Sequence, residues 1–240
     1  MKLLLDFGNT RVKAAVSDGS GLREIYSGPV DSDALANAVA AFHIEGGMWC
    51  SVRPVPDDIV RWLDSMDVRA LDWKTPVPLK NAYRTPCTLG MDRLAAAVGA
   101  WSLKPGHDLL VIDAGTAITF DSVTSDGTYI GGNIAPGVEM RLKSLHEHTG
   151  ALPLVDRTGP VPRFGYDTDT AIRSGVTVGI SNEIQGYVSC LEAEYPSVLV
   201  FLTGGDAETF DFKCKNGNFA VPNLVLTGLD CISRFNEIGL

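Results

Sequence analysis

The sequence predicts an α/β protein of two duplicated lobes, each a mixed sheet flanked by helices. Three observations predict it. Short apolar runs of strand length alternate with amphipathic or alanine-rich segments of helix length. An apolar strand ending in Asp-x-Gly, with a threonine within two residues, occurs twice: Leu3-Leu4-Leu5-Asp6-Phe7-Gly8-Asn9-Thr10 and Leu109-Leu110-Val111-Ile112-Asp113-Ala114-Gly115-Thr116. The two copies lie close to half the chain length apart, which suits an internal duplication and not a short-period array; chance recurrence of a common turn is the competing reading. Lys104-Pro105-Gly106 is turn chemistry between the copies, so the lobes are expected at 1–105 and 106–240.

The elements follow in order. Leu3, Leu4 and Leu5 form an unbroken apolar run, as in a strand covered on both faces. Asp6 to Thr10 is turn chemistry, and Val12, Ala14 and Val16 alternate as a second, half-buried strand. Asp18 to Gly21 turns the chain again. A helix is expected over 31–42, capped by Asp31 or Ser32, with Leu35, Ala38, Val39 and Phe42 on one face. A short buried strand at 48–52 precedes a helix whose first turn holds Pro56 and whose apolar face is Ile59, Trp62 and Leu63. A strand at 68–73 and an alanine-rich helix at 91–103 complete the first half. The later half repeats the strand pair, with its second strand at 117–123. Residues 131–137 read as a glycine-rich turn, 138–148 as a helix, and 168–194 as a long helical stretch interrupted by glycines at 175, 179 and 186. A strand at 198–202 ends in Thr203-Gly204-Gly205-Asp206. A last strand is expected at 224–226 and a terminal helix at 229–238.

Bulk properties exclude several functions. The chain of 240 residues carries a formal net charge of −9. Nucleic acid and anionic membrane surfaces need clustered Lys and Arg, so neither is an expected partner. A site for a small anion must be built locally from backbone amides, a few arginines and bound cations. The five cysteines are odd in number, and none pairs at C-x-x-C spacing; neither a zinc site nor a disulfide framework is indicated, and a reducing cytoplasmic setting is expected. Three apolar residues before Asp6 are too few for a signal peptide or a membrane span.

Four motifs carry candidate chemistry. Asp6 to Thr10 can aim backbone N–H groups at a phosphate, and the Asp6 carboxylate can hold Mg²⁺ directly or through water; an ordinary hairpin with a capping aspartate is the other reading. Asp113 and Thr116 offer a second carboxylate and hydroxyl, or else a relic of the duplication. The Thr203–Asp206 run lets a flat ring or phosphate approach the backbone, or simply turns the chain. Asp92-Arg93 opens a helix: Asp92 is a candidate general base for an alcohol and Arg93 a bidentate anion ligand, while a plain helix cap explains Asp92 equally well.

Taken together the motifs resemble the type III pantothenate kinases, of the acetate kinase, sugar kinase, heat-shock ATPase and actin superfamily. The segments match in order over nearly the whole chain: DFGNT at 6–10, Tyr83 with LGMDR at 89–93, IDAGTA at 112–117, GGNIAPG at 131–137 and GYDTDTAIRSG at 165–175. The resemblance implies ribonuclease-H-like lobes in an actin-like ATPase fold, and phosphorylation of pantothenate by ATP. It implies that Asp6, Phe7, Gly8, Asn9, Thr10, Arg11, Val12 and Lys13 hold the ATP phosphates, and that Thr116 touches ATP. Tyr83, Gly90, Met91, Asp92, Arg93 and Thr168 would bind pantothenate, with Asp92 the proton acceptor. Asp113 would bind a monovalent cation, K⁺ or NH₄⁺, beside the Mg²⁺ that accompanies ATP. A homodimer with the substrate site near its interface is also implied. Where Asn is expected before Thr168 the chain has Asp167, which adds negative charge near an anionic substrate and leaves Thr170 as a neighbouring hydroxyl. The chain also reads as short for the family. A same-fold kinase for another small alcohol or acid, a nucleotide-binding regulator without turnover, and a purely structural module are the competing functions. The Asp92–Arg93 pair speaks against the regulator, since a binder needs no base.

Overall fold

In a computed structural model that describes residues 1–238, the chain forms two compact units. The first comprises Met1–Gly106, Val123–Gly131 and the segment from Asn223 onward; the second comprises His107–Ser122 and Gly132–Pro222.

The first unit is built on β1 (Lys2–Phe7), β2 (Val12–Ser17), β3 (Leu22–Gly28), β4 (Gly47–Ser51) and β5 (Val68–Ala70), in the sheet order β3-β2-β1-β4-β5. The first three strands are antiparallel, β4 runs parallel to β1, and β5 parallel to β4. Strand alternation sends Leu3, Leu5 and Phe7 to one face and Leu4 and Asp6 to the other. The odd-numbered row packs with Val12, Ala14 and Val16 against Leu35 and Val39 of α1 (Ser32–Val39) and Ile59 and Leu63 of α2 (Asp57–Asp64). The opposite face lies under α3 (Met91–Leu103) and α6 (Leu224–Ile238), which contact β4 and β1. That sandwich explains the three consecutive leucines, all fully buried. It also defines Asp6: after Lys2 and Leu4 it ends, at the turn, the row that faces α3 and α6.

The two helices cross on glycines. A Cβ on Gly228 would collide with the Ala95 carbonyl oxygen, and one on Gly99 with the Leu224 carbonyl oxygen. The short β6 (Lys80–Asn81) pairs in parallel with residues Thr128 and Tyr129.

The second sheet is formed by β7 (Leu109–Ala114), β8 (Ala117–Val123), β9 (Thr128–Pro136), β10 (Leu199–Thr203) and β11 (Asn218–Ala220), with β6 at its edge, in the order β11-β10-β7-β8-β9-β6; the second unit takes β9 only from Gly132 onward. With β6 set aside this is, strand for strand, the order of the first sheet, the outcome expected of a duplication. Leu110, Ile112 and Ala114 pack with Ile118 and Phe120 against α4 (Val138–Glu147) and α5 (Thr168–Glu194), whose stripe Val176, Ile180, Ile184 and Val188 repeats every fourth residue. Asp113 again points to the face opposite that core.

The structure corrects several sequence expectations. Residues 131–137 are not a turn; most of them belong to β9, and the glycines allow close approach. Gly132 lies against the Phe120 backbone, and Gly131, at φ +111°, lies under the Tyr83 ring. Residues 224–226 open α6 and are no strand, because a short apolar run fits either element until its neighbours are known. The expected strand at 68–73 stops at Ala70. Two edge strands, β3 and β11, carry too little apolar alternation to be read from sequence.

α5 is continuous through its glycines. Around Gly179 and Gly186 a Cβ would meet nothing within 4 Å. Gly179→Ala and Gly186→Ala are each expected to stabilise the fold by about 0.5–1 kcal/mol, by lowering the entropy lost on forming the helix. A higher urea midpoint at unchanged slope would show it. A lower midpoint would mean that these positions need small residues for packing.

Candidate active site

Strand register assembles the first cluster. Asp6 stands opposite Lys13 on β2 and opposite Cys50 on β4, so a carboxylate, an ammonium and a thiol share the face under α3 and α6. The Cys50 Sγ donates to Asp6 Oδ1 at 3.7 Å. Burial pushes the Asp6 carboxyl up to about 6; the Asp92 carboxylate adds to this, while Lys13 and the Cys50 thiol partly offset it. Burial, then Asp6 and Asp92, hold the Cys50 thiol well above its ordinary range, so it acts as a neutral donor. Two carboxylates whose charges oppose each other in a sheltered place fit a hard divalent cation. Among the described residues no group of three or more His, Cys, Asp or Glu side chains could hold a metal ion alone. Such a cation would therefore need oxygen ligands from phosphate and water, as Mg²⁺ usually has.

The turn after Asp6 is closed by the Gly8 N–H donating to the Arg11 carbonyl at 3.0 Å. Arg53 Nη1 donates to the Asn9 carbonyl at 3.2 Å and steadies the loop from outside. Asn9, Thr10 and Arg11 are exposed, whereas the Phe7 and Val12 side chains are fully buried in the core. Of the expected phosphate segment, those two residues can therefore offer a ligand only their backbone.

Asp92 sits in the first turn of α3. Gly90 occupies the N-cap, and no side-chain bond caps the helix. Asp92 is thus not the cap that the sequence allowed it to be. A Cβ on Gly90 would lie 2.5 Å from Asp92 Oδ1, so glycine makes room for the carboxylate there. Arg93 is buried and lies 5.9 Å over the Tyr83 ring, which itself rests on Gly131. The ring face offers the guanidinium a cation–π attraction that helps to hold it in place. Met91, between Gly90 and Asp92, is half-buried.

In the second unit the β7–β8 turn places Asp113 beside the strand-ending glycines. Gly204 adopts φ +96°, and a Cβ there would lie 2.5 Å from Asp113 Oδ1 and collide with the Ala114 carbonyl. Glycine therefore keeps open the space around the Asp113 carboxylate. Next to it the Asp206 N–H donates to the Ala114 carbonyl at 2.9 Å, and Arg157 Nη2 holds Asp206 Oδ1 at 2.6 Å. Thr116 is exposed, and its carbonyl accepts from the Gly137 N–H at 3.0 Å. A carboxylate beside bare backbone suits a weakly hydrated monovalent cation.

Asp167 is the N-cap of α5, in a reciprocal capping box with Thr170: the Asp167 N–H donates to Thr170 Oγ1 at 3.2 Å, and Asp167 Oδ1 accepts from the Thr170 N–H at 2.8 Å and from its hydroxyl at 2.7 Å. Those bonds, the hydroxyl's first, hold the Asp167 carboxyl below its usual range. Asp167 thus serves the helix end, a task Asn would perform about as well. Thr170 is buried in the cap, and the neighbouring Thr168 is exposed.

Cys50, Arg53, Asn223 and Arg157 were not singled out from sequence as site residues. Only register or tertiary contact brings them to the motifs, and nothing in the sequence marked them out.

Known proteins resemble the chain over nearly its whole length. The profile of the type III pantothenate kinases matches residues 2–190. A type III pantothenate kinase of Phocaeicola vulgatus is 46% identical over 240 residues, covering 99% of each chain. One of Bacteroides fragilis is 45% identical over the same length, also covering 99% of each. The chain is therefore not short beside these relatives. Among solved structures, glucokinase from an Antarctic psychrotroph superposes with a TM-score of 0.51 at 12% identity, over 97% of this chain and 98% of that one, a likeness of fold alone. With an actin-like kinase fold, the motif segments in place and full-length relatives at this identity, the chain belongs to the type III pantothenate kinase family.

Proposed function

We propose that the chain transfers the γ-phosphoryl group of ATP to the primary hydroxyl of pantothenate, giving ADP and 4′-phosphopantothenate, the first step of coenzyme A synthesis. Membership of the family makes it a phosphotransferase that uses ATP with a divalent cation. The observation that carries the assignment of roles is Asp92, placed at the start of α3 beside Asp6 and not consumed as a cap.

Phosphoryl transfer asks chiefly for positioning and charge neutralisation. The Gly8–Arg11 turn and Lys13 would hold the ATP phosphates, with Thr116 a further contact. Arg93, fixed on Tyr83, would bind the pantothenate carboxylate, with Gly90, Met91 and Thr168 lining the rest. Asp92 would accept the hydroxyl proton as the new O–P bond forms and the bond to ADP breaks. Mg²⁺ at Asp6 would supply charge neutralisation on the phosphates. A coupled assay of ADP release with and without pantothenate tests the whole reading: release that depends on pantothenate supports it, and release with another small acid or alcohol instead redirects it.

Asp113 would hold K⁺ or NH₄⁺. The protein is acidic and both substrates are anions, so a cation in a partly dry site lowers the cost of bringing them together. K⁺ is expected to activate strongly, Na⁺ and Li⁺ less, and Asp113→Asn to raise the K⁺ concentration for half activation. A titration at constant ionic strength, balanced with a bulky organic cation, measures this; a flat response removes the cation from Asp113. The enzyme would work as a homodimer in the cytoplasm. Among the described residues no helix is long and apolar enough to cross a membrane.

A further inference from the structure

We propose that Asn223 is a positioning residue for Lys13, and that Asn223 and Glu24 form a polar relay which aims the Lys13 ammonium at the phosphates of ATP. The inference rests on the reading of Lys13 as a phosphate ligand. Lys13 Nζ donates to Asn223 Oδ1 at 3.0 Å, and Asn223 Nδ2 donates to Glu24 Oε2 at 2.6 Å. The three residues come from β2, β3 and the start of α6, all within the first unit.

The amide chemistry admits one orientation. A primary amide presents an acceptor on one side and donors on the other. With a cation on one flank and a carboxylate on the other, flipping the group would set N–H against ammonium and carbonyl against carboxylate. Glu24 therefore locks the amide, and the amide locks the lysine. Aspartate at this position would oppose Glu24, and glutamine would add a methylene. Lys13 in turn lies directly across the strand pair from Asp6. A long flexible side chain is thus held where a phosphate beside the Asp6 turn would meet it, with its rotamer entropy already lost before ATP arrives.

The backbone supports the same conclusion. Asn223 has φ +61°, one of two non-glycine residues with positive φ among the described residues. Asparagine tolerates this conformation better than most residues, and such conformations are held where function over-determines them. Its carbonyl accepts from the Thr227 N–H at 3.0 Å, which ties the relay to the first turn of α6.

The geometry makes the test clean. Glycine adopts φ +61° freely, so Asn223→Gly removes the amide and leaves the backbone in place. Asn223→Gly is expected to raise KM for Mg·ATP about 3–10-fold, the net worth of a typical hydrogen bond, with KM for pantothenate unchanged and the melting temperature close to wild type. In a Lys13→Met background the same substitution should have no further effect on KM for ATP. Asn223→Asp combined with Glu24→Gln moves the carboxylate one link along the relay at constant charge, and should restore KM to within a factor of about two. An Asn223→Gly effect that persists at full size in the Lys13→Met background would overturn the relay while leaving the phosphate role of Lys13 standing. A Lys13→Met enzyme with wild-type KM for ATP would overturn both.

Discussion

Asp92→Asn is expected to lower kcat by about 10²–10⁴-fold while Mg·ATP still binds, the usual contribution of a general base. The expected loss is catalytic and not structural, for three reasons on the molecule. The α3 N-cap is Gly90, so no capping bond is lost. The amide has the shape of the carboxylate and fits the room left by Gly90. Removing the charge relieves its repulsion of Asp6, which opposes the loss of about 0.3–1 kcal/mol of charge–dipole attraction at the helix start. ADP release, nucleotide titration and a thermal melt on the same preparation separate these effects. Turnover within a few-fold of wild type would leave Asp92 as an ordinary acidic residue in a first helical turn.

Gly228→Ala is expected to cost about 2–4 kcal/mol of stability, a melting shift of roughly 4–16 °C for a chain of this size. Alanine is the better helix former by about 1 kcal/mol, so the sign is set by packing. The added methyl would collide with the Ala95 carbonyl, a backbone group that cannot rotate aside, and α3 and α6 must separate. The consequence reaches the candidate site, because α3 carries Asp92 in its first turn and α6 begins beside Asn223. Activity should therefore fall at temperatures well below the melt. Calorimetry beside the Gly179→Ala control checks it, since the same substitution is expected to act with opposite sign where a Cβ meets open space. A Gly228→Ala protein as stable as wild type would show that the helix crossing relaxes freely.

Much of this was legible in the sequence because it is local. The leucine run, the two Asp-x-Gly turns and the alanine-rich helix announce themselves in residue type and period, and Met91–Leu103 and Thr168–Glu194 come out with the boundaries read from sequence. Phe7 and Val12 show the limit of motif reading: they lie inside the phosphate segment, yet their side chains belong to the core. Glycines were the least legible residues. At 131–137 they were read as turn formers, and Gly228 was not singled out; in fact each marks a close approach of two backbones or of a backbone and a ring. A missing Cβ looks the same in sequence whether it frees a dihedral or admits a neighbour.

By itself the sequence determined the α/β class, the repeated strand–turn–strand frame and the family. Each of these is a short-range pattern, set by side-chain chemistry within a few residues. Only the tertiary structure decided that Asp92 is not a cap, that Cys50 stands against Asp6, that the start of α6 closes on Lys13, and that the last helix belongs with the first unit. Those facts depend on strand register and on helices meeting across more than a hundred residues of chain. The pairing there is selected by burial and backbone approach, which leave no periodic signature in the sequence.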